Sequence, residues 1–154
     1  VLNASFISII IPANNEEGYI GLCLRALAAQ RFRSLDDTFV QIIVAANACT
    51  DETIQEAENE RQGLEAAGMS LDVIEVPTPG KRHALNNAES IATGQIKIYL
   101  DADVIIEPDL LSKLVDALNC ADPRYASGHL KIAPAKSWIT RQFAKTWQNV
   151  PFMK

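Results

Sequence analysis

Apolar positions along the chain follow two alternating rhythms, and each rhythm names an element. Phe6 to Ile11 (Phe-Ile-Ser-Ile-Ile-Ile) and Phe39 to Ala46 (Phe-Val-Gln-Ile-Ile-Val-Ala-Ala) are nearly continuous, β-branched runs, the pattern of parallel strands covered on both faces. Leu71 to Val76 is shorter and alternates, which suits a strand nearer a sheet edge, and Ile96 to Leu100 is a fourth run that reads as a buried strand. Between the runs, apolar residues recur at helical spacing: Ile20, Leu24, Leu27 and Ala28; more weakly Ile54, Ala57, Leu64 and Ala67; then Leu85, Ala88, Ile91 and Ala92; and firmly Leu110, Leu111, Leu114, Val115 and Leu118.

Cap and turn residues agree with this division. Asn14 or Asn15 is expected to cap the first helix, with Glu16 and Glu17 in its first turn, where acids complement the dipole. Thr50 is expected to cap the second, a single helix running to about Ala67 and closed by Gly68. Pro77-Thr78-Pro79-Gly80 forces turn or extended backbone before a third helix that ends at Thr93-Gly94, and Pro108 suits the first turn of a fourth. Tyr125 to Ile132 is expected to add a strand, and Ser137 to cap a last helix through about Asn149. Alternation of this kind predicts an α/β fold: a doubly wound, mainly parallel sheet with helices on both faces, in one domain over residues 1–154.

Composition narrows the partners. With 154 residues, 48% of them hydrophobic, the chain is long enough to bury a core. A net charge of −5 without a basic run argues against nucleic acid, because phosphate backbones are bound by concentrated Lys and Arg. A nucleotide ligand would therefore require a metal to offset its charge. Cys23, Cys49 and Cys120 are odd in number and lack metal-ligand spacing, which points to reduced thiols and a cytoplasmic location, with membrane association of a longer protein left open. No apolar stretch reaches membrane-spanning length. Val1 is not a start methionine and the tail from Trp147 to Lys154 is still aromatic, so an incomplete C-terminus is expected.

Candidate chemistry begins where the fourth apolar run ends, in Leu100-Asp101-Ala102-Asp103. In an open parallel sheet ligands bind outside the carboxyl ends of the strands, so both acids would stand at the substrate. Side chains two apart on extended backbone point the same way, and their hard oxygens suit Mg²⁺ or Mn²⁺, which in turn suits a diphosphate. Asp in a loop after a strand is also ordinary turn chemistry, so the pair alone decides nothing. The loops after the first two runs, Asn14 to Glu17 and Asn47 to Asp51, are polar and should converge on the same rim. Neither Gly-x-Gly-x-x-Gly nor Gly-x-x-x-x-Gly-Lys-Ser/Thr occurs, so phosphate is not gripped by glycines.

Taken together, Ser8-Ile9-Ile10-Ile11-Pro12-Ala13-Asn14-Asn15-Glu16-Glu17, Ile42-Ile43-Val44 through Asn47-Ala48-Cys49-Thr50-Asp51-Glu52-Thr53, Gly80-Lys81 through Ala84-Leu85-Asn86, and Leu100-Asp101-Ala102-Asp103 resemble the inverting family 2 glycosyltransferases, four motifs in the family's order. The resemblance implies a GT-A fold and transfer of a sugar from a nucleoside-diphosphate sugar to an acceptor hydroxyl with Mg²⁺ or Mn²⁺. By position it implies that Pro12, Ala13, Asn15 and Glu16 line the nucleoside and that Asn47 stands where the family often has an acid touching the base. It further implies Lys81 near base or phosphate, Asp101, Ala102 and Asp103 at the donor, and Asp101 and Asp103 at the metal. This chain departs from the family's usual Asp-Asp or Asp-Asn in having Ala46-Asn47. The catalytic base of the family lies on the acceptor side, beyond the acid pair; here Glu107, Asp109, Asp116 and Asp122 all fall in or beside the following helix, and none is assigned.

Three other functions compete. A non-catalytic nucleotide-sugar-binding fragment would share the donor loops. A haloacid-dehalogenase-type phosphohydrolase also has a strand ending in Asp-x-Asp, but near the start of its chain and with Thr or Val where Ile105 stands here. A sugar nucleotidyltransferase would need a Gly-rich, Arg-containing first loop in place of Pro12 to Glu17.

Overall fold

The computed structural model describes residues 6–31, 39–118 and 125–128. Its elements run β1 (Phe6–Ala13), α1 (Ile20–Ala28), β2 (Phe39–Asn47), α2 (Thr53–Asn59), α3 (Arg61–Ala66), β3 (Met69–Val76), α4 (Lys81–Ile91), β4 (Ile96–Tyr99) and α5 (Leu110–Leu118). The four strands form one sheet in the order β3-β2-β1-β4, and every pairing is parallel. Both faces of β1 and β2 are buried, which is why their sequences are continuously apolar.

Strand alternation sorts the core into two layers. Ile7, Ile9, Ile11, Val40, Ile42 and Val44 pack with residues of α1, α2, α3 and α5, among them Leu24, Leu27, Ala57, Leu64 and Leu111. Ile10, Ile43 and Ala45 face the other way and meet Ala84 and Ala88 of α4. The expected doubly wound α/β arrangement, helices on both faces, is what the chain adopts. β3 lies at an end of the described sheet, as its alternating run predicts, but it starts at Met69, before the expected Leu71, and at eight residues is as long as β1.

Several boundaries differ, each for a local reason. α1 starts at Ile20, with Tyr19 at its N-cap and no side-chain cap. Asn15 and Gly18 hold φ of 55° and 83°, so the chain still turns where Asn14 or Asn15 was expected to cap. The single second helix is two, separated at Glu60, and its N-cap is Glu52, not Thr50. Gly68 closes the pair with φ of 78° and its N–H on the Glu65 carbonyl. β4 is not fully buried: it lies at an end of the described sheet and leaves Tyr99 half exposed. Ile91, expected to face inward, is exposed. Tyr125–Gly128, half of the predicted fifth strand, has no regular secondary structure, while 129–132 and the predicted helix from Ser137 lie outside the described residues. Cys23 is buried and Cys49 half-buried, both free; Cys120 lies outside the described residues. Among the described residues no helix is long and apolar enough to cross a membrane.

Candidate functional site

A cleft of about 430 Å³ opens at the carboxyl ends of β1, β2 and β4. Eight of the nine expected site residues line it; Asn15 does not. The polar loops after three strands thus converge on one rim, as parallel topology requires. Four further residues line the cleft: Asn14, whose loop is expected at this rim, and Pro79, Gly80 and Ala84. Gly80 and Ala84 sit inside one of the recognised motifs, and Pro79-Gly80 is a turn signal directly before a helix, so their approach to the rim had a trace in the sequence.

Glu16 is held through its backbone. Its N–H donates to Thr53 Oγ1 at 2.8 Å, the Glu17 N–H to Asp51 Oδ2 at 3.1 Å, and the Gly18 N–H to Glu56 Oε2 at 2.6 Å. Side chains from the start of α2 therefore satisfy the donors that precede α1, a service expected from Asn14 or Asn15. Asp51 also accepts from the N–H and hydroxyl of Thr53, at 3.1 and 2.5 Å. Burial by itself would raise the Asp51 carboxyl; the bonds from Thr53 and the Glu17 N–H outweigh it and hold the group below the ordinary carboxylate value. Asp51 thus fastens the local turn before α2, and it does not line the cleft. Asn15 spends its Oδ1 on the Thr50 N–H at 2.8 Å and on the Thr50 hydroxyl at 3.3 Å, which ties the first loop to the second.

Charge is unevenly placed across the cleft. Burial pushes the Glu16 carboxyl up, and the neighbouring carboxylates Asp103, Asp51 and Asp101 push it further. Beneath the acids, burial and then Asp103 raise the Cys23 thiol to about 12, so it stays protonated. Lys81, at the first position of α4, reaches Asp101 Oδ1 with its Nζ at 2.5 Å, and both side chains are more than half exposed. That pair contributes little to stability, since exposed ion pairs are worth about 0–1 kcal/mol, but it sets a cation opposite the acids.

Asn47 differs from the other polar residues of the cleft: it is 4% exposed and its amide is already engaged. Nδ2 donates to the Val76 carbonyl at 3.1 Å and to the Thr78 carbonyl at 2.6 Å, while Oδ1 accepts from the Gly80 N–H at 2.7 Å. Its own carbonyl accepts from Asn14 Nδ2 at 2.6 Å.

A divalent cation can be tested against this donor set. Among the described residues no group of three or more His, Cys, Asp or Glu forms a cage for a metal. Asp101 and Asp103 supply hard carboxylate oxygens at the cleft, and Mg²⁺ is commonly bound by one or two carboxylates together with substrate phosphates and water. The residues fit such a group.

The sequence model of the family described as Glycosyl transferase family 2 matches residues 8–153. The poly(ribitol-phosphate) β-N-acetylglucosaminyltransferase TarS of Staphylococcus aureus strain Mu50 is 30% identical over 104 residues, which are 68% of this chain and 17% of that enzyme. The chain thus spans under a fifth of the curated relatives it matches. Among solved structures, residues 1–349 of S. aureus TarS superpose with a TM-score of 0.62 at 27% identity, covering 73% of this chain and 32% of that one. Glucosyl-3-phosphoglycerate synthase of Mycobacterium tuberculosis, in complex with Mn²⁺, UDP-glucose and phosphoglyceric acid, superposes at 0.54 and 27% identity, over 74% of this chain and 39% of that one. The parallel sheet and its helices share the GT-A fold of these neighbours. The match over nearly the whole chain, on a sheet whose strand ends carry the expected loops, makes this chain a member of glycosyl transferase family 2.

Proposed function

We propose that the cleft binds a nucleoside-diphosphate sugar together with Mg²⁺ or Mn²⁺, and that the protein transfers the sugar to an acceptor hydroxyl by inverting displacement. The observation that carries this reading is the layout of the cleft: Asp101, Asp103 and Glu16 opposite Lys81 at the carboxyl ends of the strands, in a family 2 chain. Pro12, Ala13 and Glu16 offer an apolar floor with one acceptor for a nucleoside, and Asn15 supports that floor through Thr50. Lys81 and the N-terminal turn of α4 offer positive potential to a diphosphate. Asp103, with Asp101, would hold the metal, which supplies charge neutralisation at the departing diphosphate when bound. M. tuberculosis glucosyl-3-phosphoglycerate synthase, solved with Mn²⁺ and UDP-glucose, supports the donor class.

A second reading, nucleotide-sugar binding without transfer, draws on the same lining. Among the described residues, every carboxylate on the cleft, Glu16, Asp101 and Asp103, is given a donor-side role by this reading, while Asp109 pairs with Arg31 at 3.4 Å and lies off the cleft. A transfer assay on the protein separates the two readings. Family membership sets aside the phosphohydrolase and nucleotidyltransferase alternatives.

Calorimetric titration with UDP, GDP and UDP-sugars, with and without Mn²⁺, tests the site. Binding should require the metal and be abolished by Asp103→Ala. Metal-independent binding that survives Asp103→Ala would sink the assignment.

A further inference from the structure

We propose that Asn47 is a positioning residue: its side-chain amide holds the Val76–Gly80 turn in the shape that delivers Lys81 to Asp101, a task an acid at this position could not perform. The binding arm of the test below rests on the donor-site reading.

The turn reads Val76-Pro77-Thr78-Pro79-Gly80, and its two prolines have no N–H to give. Three N–H groups are left to fasten it, and Asn47 engages one of them, that of Gly80, together with the carbonyls of Val76 and Thr78. Both amide protons and one acceptor position of Asn47 are used in this way. The Gly80 N–H matters most for the cleft. Gly80 has φ of 125°, which glycine tolerates, and its carbonyl accepts from the N–H groups of His83 and Ala84 to begin α4. Lys81 follows at once and reaches Asp101. Asn47 is itself anchored at the end of β2, and its carbonyl is held by Asn14, so the second loop, the first loop and the start of α4 meet in one buried amide.

An ionised carboxylate here would have no proton to offer and would face the carbonyl oxygens of Val76 and Thr78. Asn47 thus serves a donor through the placement of Lys81, not by contact with a base.

The test combines amide exchange with nucleotide binding on the wild type and Asn47→Asp. In the wild type, the Gly80 amide should exchange at least about tenfold slower than in an unstructured chain, because its hydrogen bond to the buried Asn47 side chain protects it. Asn47→Asp should weaken Mn²⁺-dependent UDP binding about tenfold or more at pH 7.5, the scale of a lost buried hydrogen bond. Affinity relative to wild type at the same pH should then recover as pH falls toward 5 and the introduced carboxyl regains a proton to donate, a response general destabilisation would not give. Three results overturn the proposal: free-chain exchange at Gly80 in the wild type, undiminished affinity in Asn47→Asp at pH 7.5, or a loss that does not recover on acidification. Should the wild type bind no nucleotide, the donor-site reading fails and Gly80 exchange alone decides the proposal; the same arm decides it if the variant does not fold.

Discussion

Asn15 and Ala48 stand on facing loops with φ of 55° and 49°, in the left-handed region that costs an ordinary residue about 1–2 kcal/mol. Asparagine tolerates it better than most, and Asn15 also supplies the acceptor for the Thr50 N–H. Asn15→Ala should therefore destabilise the fold by about 1–2 kcal/mol, combining backbone strain with the lost bond. Asn15→Gly should cost less, since it loses only the bond. Urea unfolding of both variants checks this, and an Asn15→Gly midpoint below that of Asn15→Ala would refute it. The loop composition made polar roles for Asn14, Asn15 and Asn47 legible. It did not say which would face a ligand, because each choice depends on partners about thirty residues away: Asn47 for Asn14, Thr50 for Asn15, and the Val76–Gly80 turn for Asn47.

Polar residues inside the apolar strands have an explanation at the level of elements. Ser8 and Gln41 are register partners on β1 and β2, and the Ser8 hydroxyl donates to Gln41 Oε1 at 2.9 Å. Ser8 Oγ also accepts the Gly94 N–H at 2.8 Å, and Gln41 Nε2 donates to Asp72 Oδ2 at 2.8 Å on β3. This buried network fastens three strands to the α4–β4 connection. A β-carbon at Gly94 would collide with the backbone of Ile7 and Ser8. Gly94→Ala should thus destabilise the protein by about 1–3 kcal/mol, the usual cost of overpacking. An unchanged chemical denaturation midpoint would show that β4 can shift to make room. Glycine at this point reads in the sequence as a helix stop; its close approach to β1 follows only from β4 pairing beside β1.

Folding brings four carboxylates from three loops to one side of the molecule, and its pH response should carry that signature. Burial and then Asp103, Asp51 and Asp101 raise the Glu16 carboxyl above its ordinary value of 4.5, so the folded state holds this proton more tightly than the unfolded chain. Stability from Glu16 is then fully present below pH 4.5 and is lost as pH rises through the folded value. Glu16→Gln should match the wild type in acid and exceed it at neutral pH. Denaturant unfolding at pH 4 and pH 7 checks the sign, and a difference that does not grow with pH would disprove it.

The strand and helix alternation, the buried β1 and β2, the position of β3 at an end of the described sheet and the polar loops that meet at one rim were all determined by sequence alone, because hydrophobic periodicity and turn residues act over a few positions. The split of the second helix, the exposure of Tyr99 and Ile91, the bond from the Gly18 N–H before α1 to Glu56 of α2, and the commitment of Asn47 to the Val76–Gly80 turn were decided by tertiary structure. Each depends on which distant group arrives beside a residue once the parallel strands are in register, and hydrogen bonds between groups far apart in the chain leave no local pattern to read.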